Sequence, residues 1–392
     1  MTLLPVGEAQ ARLLALAPPL PIESLPLAEA AGRWAAEDVV AKRTQPAADL
    51  SMMDGYAIRF ADMPGPWRVV GESRAGLGME APLQAGEAAR IFTGAPVPAG
   101  ADAVLMQEEA EREGERVILA GDGPPQPGAH MRRRGSDFAA GAVLVSNGDL
   151  LTPGRIAAAA VGGHGALAVR RRPRVTLIST GDELVPPGTP AEGAMLPASN
   201  GIMLQALIGG RAIVRDAGIV PDRLDALVDA LRSAEADIIV TSGGASVGDH
   251  DLIRPALAEA GASLDFWRIA MRPGKPLLAG RLGHAVVLGL PGNPASAFVT
   301  AQLFLLPLMA HLGGARQPLP SIEPAMLDAP LPAVGGREDY ARAIYDTGRV
   351  RPLPNQDSGA LATLAQANAL IVRAAGAAPA AVDEIVNILR IA

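Results

Sequence analysis

The chain has 392 residues, with 34 Lys and Arg against 41 Asp and Glu for a net charge of −7, and it contains no cysteine. That balance excludes a protein whose affinity rests on non-specific attraction to a phosphate backbone, so nucleic acid is not an expected partner. The missing thiols exclude disulfides, thiolate zinc sites, iron–sulfur clusters and a cysteine nucleophile.

At roughly 150 residues per domain, the length alone predicts two to three compact units. Met1 to Leu16 reads as the start of a helix rather than a basic and then apolar leader, which predicts a cytoplasmic protein. Residues 1–45 and 138–172 read as helical segments that pair into one discontinuous N-terminal domain. Between them, residues 46–137 are rich in turns, with short strands predicted at Trp67 to Gly71, Ala89 to Thr93, Ala103 to Gln107 and Arg116 to Leu119, the pattern of an inserted β-rich domain.

Residues 173–316 alternate β-branched runs with helical periodicity, as expected of βα units in a central, doubly wound α/β domain. Arg174 to Ser179, Asp237 to Thr241 and Ala285 to Leu290 read as buried strands. Asn200 reads as the cap of a helix that stops at Gly209-Gly210, and Leu224, Leu227, Val228 and Leu231 recur at helical spacing. The apolar stretch from Ala295 to Ala310, interrupted by Gln302 and Pro307, falls short of the roughly 20 residues of a membrane span and reads as a buried core helix, so no membrane partner is expected. Residues 317–392 carry predicted strands at Asp339 to Ile344, Leu370 to Arg373 and Glu384 to Ile391, the pattern of a small C-terminal β domain. The expected fold is thus multidomain α/β.

Polar loops follow the central strands, where open α/β sheets bind anionic ligands. Thr180-Gly181-Asp182-Glu183 offers either carboxylates for a hydrated Mg²⁺ or a ribose hydroxyl, or an N-capping turn. The stretch Ser242-Gly243-Gly244-Ala245-Ser246 has the glycines and hydroxyls to wrap a phosphate, and Asp249 and Asp251 add candidate metal ligands. It lacks the lysine of a P-loop. Arg268, Arg272 and Lys275 alternate with apolar residues and prolines, an arrangement suited to an oxyanion, and Asn293 to Ser296 opens the apolar helix towards the same guest. Asp54, in a Met-Asp-Gly turn, and Thr93, at the end of a strand, are either site residues or turn formers. The five histidines show no metal-ligand spacing and read as structural, while Arg132-Arg133-Arg134 is either a solvated face or a phosphate contact.

In order along the chain, SMMDGYA, IFTGAPVPAGADAV, RRRGSD, LISTGDEL, TSGGASVGDHD, MRPGKP, LPGNPAS, QDSGAL and ANAL resemble the molybdopterin molybdenumtransferase family of the bacterial MoeA and gephyrin E-domain type. The resemblance implies a four-part homodimer whose ligand cleft lies between the central domain, a molybdopterin-binding domain, of one subunit and the β domain of the other. It implies transfer of molybdate onto adenylylated molybdopterin with Mg²⁺, releasing AMP and molybdenum cofactor. The adenylyltransferase that makes the substrate and the apo-molybdoenzymes that receive the product are the implied partners.

Carried over by position, the resemblance implies catalytic roles for Asp54, Thr93, Glu183, Asp222 and Asp251, the carboxylates serving Mg²⁺, adenylate positioning and phosphoanhydride hydrolysis; Glu183 and Asp251, with Asp249 from the loop composition, are the candidate Mg²⁺ ligands. It implies molybdate or phosphate contacts from Arg272, Lys275 and Ser296, with Arg342 and Ser358 added from the C-terminal domain, beside the contacts already read from the residues themselves at Ser242, Gly243, Gly244, Ser246, Arg268 and Asn293. Asp137 matches an acidic position of unassigned role. Arg268 and Arg272 stand where some relatives carry lysine, and Ala198 stands where an acidic residue can precede the Ser199-Asn200 pair. Two rival readings remain at this stage. One is a molybdopterin adenylyltransferase, which needs only the central domain, and the other is a non-enzymatic scaffold or cofactor carrier on the same fold.

Overall fold

The computed structural model describes residues 3–243 and 252–391. Gly244, Ser246, Asp249 and Asp251 of the predicted site lie outside these described residues.

The two ends of the N-terminal region meet through strands rather than through the paired helices that the sequence suggests. Ile22–Pro26 pairs antiparallel with Ala166–Arg170, and Val39–Val40 with Val143–Val145. Helix Pro153–Val161, started by Pro153 and capped by Thr152, buries Ala159 against Val39, Leu151 and Val169. The first helix, Val6–Ala15, turns away from this unit and buries Val6, Ala9 and Leu13 in the core of the central sheet.

The inserted region folds as a six-stranded sheet in the order Ala103–Met106, Gly55–Ile58, Glu87–Ile91, Trp67–Ser73, Arg116–Leu119 and Ala110–Glu113. Fully buried Trp67 anchors it against Tyr56, Ile58, Leu105 and Val117.

The central sheet runs Ile213–Val220, Arg174–Thr180, Ile238–Ser242, Ala285–Leu290, Leu278–Leu282 and Ser263–Trp267. The first four strands are parallel and the fifth runs antiparallel to both of its neighbours, so the loops after Thr180, Ser242 and Leu290 emerge on one edge. Helix Leu224–Arg232 buries Leu227, Val228 and Leu231, as the spacing predicts. Strand Ile213–Val220 has no counterpart in the sequence reading, because as an edge strand it leaves most of its side chains exposed and carries no buried-strand pattern.

Residues Pro294–Leu312 form one continuous helical stretch, and its most apolar window is long and apolar enough to cross a membrane but is 78% buried. It is a core helix. Pro307 cannot donate to the carbonyl four residues before it. That carbonyl, Leu303 O, instead accepts Nε2 of buried Gln10 at 2.9 Å, inside a π-helical turn at Ala301–Leu305. The first helix thereby satisfies the backbone group that the proline leaves open.

In the C-terminal region, Glu338–Asp346, Arg349–Pro352, Ile322–Leu327, Ile385–Arg390 and Ala369–Arg373 pair in that order, and the first also pairs with the last, closing a small barrel. Its first strand continues into the central unit: Met271–Arg272 pairs parallel with Glu338 and Asp339.

Candidate active site

The parallel strands bring their C-terminal loops together around a cleft of about 430 Å³. Glu183, Asp222, Ser242, Gly243 and Asn293, all predicted from sequence, line it. Thr180 donates its hydroxyl hydrogen bond to Asp222, whose backbone N–H donates to Asp182 at 3.0 Å, so the two acidic loops are tied to each other.

Asn200 also lines this cleft, and in a role the sequence reading missed. It does not cap its helix; Ser199 holds the cap position and no side chain bonds the helix terminus. Asn200 Nδ2 instead donates to Ser242 Oγ at 2.8 Å and to Gly292 O at 2.7 Å, cross-linking two ligand-edge loops. The amide is better used here because it joins segments 42 and 92 residues away, whereas a cap satisfies only a local N–H. Its Oδ1 is buried without a partner among the described residues.

A second cleft of about 560 Å³ shares Pro276, Pro291 and Asn293 with the first. Predicted Arg272, Lys275, Ser296 and Ser358 line it together with Arg337. Gly274 holds the turn between the two cations at φ +103°, and a Cβ there would strike the Thr300 methyl and crowd Met271. Ala270 N–H donates to Leu4 O at 2.7 Å and Glu338 N–H donates to Ala270 O at 2.9 Å, so the cationic stretch is gripped from the N-terminal and C-terminal regions. Asp339, the register partner of Arg272, is pushed up in pKa by burial against the opposing pull of Arg272, Arg373 and Arg337. Arg337 follows Gly335-Gly336, and a cation after a glycine pair was the available signal for it.

Two predicted arginines stand elsewhere. Arg268 has φ +78°, stacks its guanidinium 4.2 Å from the Trp267 ring centre and lines neither cleft. Arg342 is 1% exposed and sits behind the cleft wall. Gln356 intervenes: its Oε1 accepts Arg342 N–H at 2.9 Å and its Nε2 donates to Arg342 O at 2.8 Å. Burial lowers the guanidinium pKa of Arg342, and its Nη1 has no partner.

Asp54 and Thr93 form a tight pair on the inserted sheet. Asp54 Oδ1 accepts Thr93 N–H at 2.7 Å and the Thr93 hydroxyl at 2.8 Å, and these bonds hold its carboxyl below the ordinary aspartate range, with Arg90 adding to the effect. Neither residue lines either cleft of its own chain. The arginine run is partly neutralised, since Asp49 accepts Arg133 Nη1 and Arg134 N–H, each at 2.7 Å. His164 and His311 bond backbone oxygens at 2.8 and 2.9 Å, and among the described residues no three His, Cys, Asp or Glu side chains cluster as a ready-made metal cage.

Comparison with known proteins covers nearly the whole chain. Residues 4–163 match the MoeA N-terminal region (domain I and II), residues 176–311 a probable molybdopterin binding domain, and residues 324–391 the MoeA C-terminal region (domain IV). The chain is 36% identical over 350 residues to a molybdopterin molybdenumtransferase of Haemophilus influenzae, covering 88% of this chain and 86% of that one. It is 36% identical over 366 residues to molybdopterin molybdenumtransferase 2 of Mycobacterium tuberculosis, covering 89% and 90%. The crystal structure of a molybdopterin biosynthesis MoeA protein from Pyrococcus horikoshii superposes over the full length of both chains with a TM-score of 0.86 at 29% identity.

Proposed function

The chain belongs to the MoeA family, and from that premise we propose that it is the enzyme that joins molybdate to the dithiolene sulfurs of adenylylated molybdopterin, releasing AMP and molybdenum cofactor. Matches on both sides of the central unit favour metal insertion over adenylyl transfer, which needs the central unit alone. The carrying observation is the continuity of the two clefts: Glu183 and Asp222 at one end, Arg272, Lys275 and Ser296 at the other, with Pro276, Pro291 and Asn293 shared between them. A substrate that carries a phosphoanhydride and accepts an oxyanion needs both ends. The cations hold molybdate by charge-assisted hydrogen bonds, while the acidic loops position the adenylate.

The acidic end fits Mg²⁺. That ion favours oxygen ligands, commonly one or two carboxylates beside substrate phosphates and water, so it needs no all-protein cage. The Glu183 carboxylate occupies the space that a side chain at Gly181 would fill, which keeps it at the cleft wall. Glu183, with Asp249 and Asp251 from outside the described residues, would hold the ion, and bound there it would neutralise phosphoanhydride charge.

We further propose a homodimer whose site is completed across subunits, because Asp54 and Thr93 line neither cleft of their own chain. The reading is tested by binding. The protein should take up adenylylated molybdopterin and molybdate, and neither ATP hydrolysis nor adenylylation of free molybdopterin should be detected. Turnover of ATP with free molybdopterin would reverse the assignment.

A further inference from the structure

The turn that carries Asp54 is fastened by a side chain outside every motif discussed so far. Arg90 is the cross-strand partner of Tyr56 and lies two residues before Phe92, so all three share one face of the sheet. Its guanidinium carbon sits 5.2 Å from the Tyr56 ring centre and 4.8 Å from that of Phe92. These rings belong to the two segments that carry the pair, since Tyr56 is two residues after Asp54 and Phe92 immediately precedes Thr93.

The hydrogen bonds of the guanidinium close a ring around Asp54. Arg90 Nη1 donates to the carbonyl of Gly55, the next residue, at 3.1 Å. Nη2 donates to Gln107 Oε1 at 2.8 Å, and Gln107 N–H in turn donates to the carbonyl of Asp54 at 3.0 Å. Gly55 leaves no slack, because a Cβ there would collide with the Leu105 carbonyl. Two strands and the 3-10 turn that follows a third are thus fixed to one planar cation, and the Asp54 carboxylate can meet the Thr93 N–H and hydroxyl together only while their two backbones keep this spacing.

We propose that Arg90 is the positioning residue of the Asp54–Thr93 pair, setting where the Asp54 carboxylate is presented to substrate. This rests on the reading that Asp54 serves the reaction. A fork is required because one donor goes to Gly55 O and another to Gln107 Oε1, on different segments, while the cation lies over two rings, a combination a lysine ammonium reproduces only in part.

The test uses the full-length protein and single-turnover AMP release from adenylylated molybdopterin, with substrate affinity measured alongside. Arg90→Met keeps the stem packed but removes the donors, and it should slow AMP release about tenfold to a hundredfold while affinity stays within about twofold. Arg90→Lys should recover part of the rate. In an Asp54→Asn background the Arg90→Met change should cost less than about twofold, since the group it positions has gone. A wild-type rate for Arg90→Met, a loss of equal size in the Asp54→Asn background, or a loss of affinity matching the loss of rate in both Arg90 variants would overturn the assignment. Full AMP release by Asp54→Asn alone would instead remove the reading of Asp54 on which the proposal stands, an outcome recognisable without any Arg90 variant.

Discussion

Asn293 Nδ2 donates to Ser358 Oγ at 2.9 Å, and two residues later Ala295 N–H donates to Ser358 O at 3.0 Å. The first turn of the core helix is therefore bonded to the C-terminal barrel at one residue, and both bonds stand at the wall of the basic cleft. Ser358→Ala removes the side-chain bond and keeps the backbone one. A net loss of about 1 kcal/mol in local order is expected. The apparent KM for molybdate should rise severalfold with kcat little changed, measured by AMP release at varied molybdate; a fall in kcat at constant KM would place Ser358 in the chemical step instead.

Lys275 is the compact cation of the basic cleft, held one residue after a glycine that packs on Thr300. On the proposed function, Lys275→Ala deletes one charge-assisted hydrogen bond to the oxyanion, on the order of 1.5–3 kcal/mol, or roughly tenfold to a hundredfold in molybdate dependence. Unaltered dependence on molybdate concentration would show that the oxyanion binds elsewhere.

An intersubunit site makes a prediction that a single-chain site does not. Asp54→Asn and Lys275→Ala are each expected to be poorly active, yet a mixed dimer contains one site with both residues intact. After subunit exchange, an equal mixture should recover up to about a quarter of wild-type activity from random pairing of the two chains. No recovery beyond the sum of the two variants, once exchange is verified by mass, would confine the site to one chain.

Asp237 clamps the start of the central sheet. Its carboxylate is 5% exposed and accepts both Arg171 Nη atoms at 2.7 Å and Arg174 N–H at 2.8 Å. Burial works to raise its pKa, but the arginine and backbone bonds outweigh burial and hold it below the ordinary aspartate value of about 3.9. The stabilisation is therefore fully present above that value and is lost as pH falls through the lower folded pKa. Arg171→Ala should cost about 2 kcal/mol near neutrality, less than for a fully buried pair because Arg171 is 30% exposed. Denaturation midpoints compared across pH should show the gap to wild type closing below about pH 4; a gap that widens on acidification would contradict the assignment.

Much of the architecture is legible in local pattern. Strands Arg174–Thr180, Ile238–Ser242 and Ala285–Leu290 are buried on both faces and so read as unbroken apolar runs, and the loops after them hold Glu183, Gly243 and Asn293. What escaped depends on partners distant in sequence. Asn200 has the composition of a cap until Gly292, 92 residues away, claims its amide. Arg342 and Ser358 look alike as polar residues of the terminal barrel, and only packing puts Gln356 between Arg342 and the cleft. Gln10 answers a carbonyl 293 residues downstream. The pairing of Arg272 with Asp339 joins two regions that periodicity treats as separate, since a two-residue strand has no period to read.

The most direct measurement of the central claim is reconstitution: purified protein, adenylylated molybdopterin, molybdate and Mg²⁺, followed by AMP release and by activation of a cofactor-free molybdoenzyme, beside an Asp54→Asn, Glu183→Gln double variant. The account predicts that both signals appear with the wild-type chain and both fall together in the variant. Tight substrate binding without AMP release by the wild-type chain, or undiminished cofactor production by the variant, would contradict it.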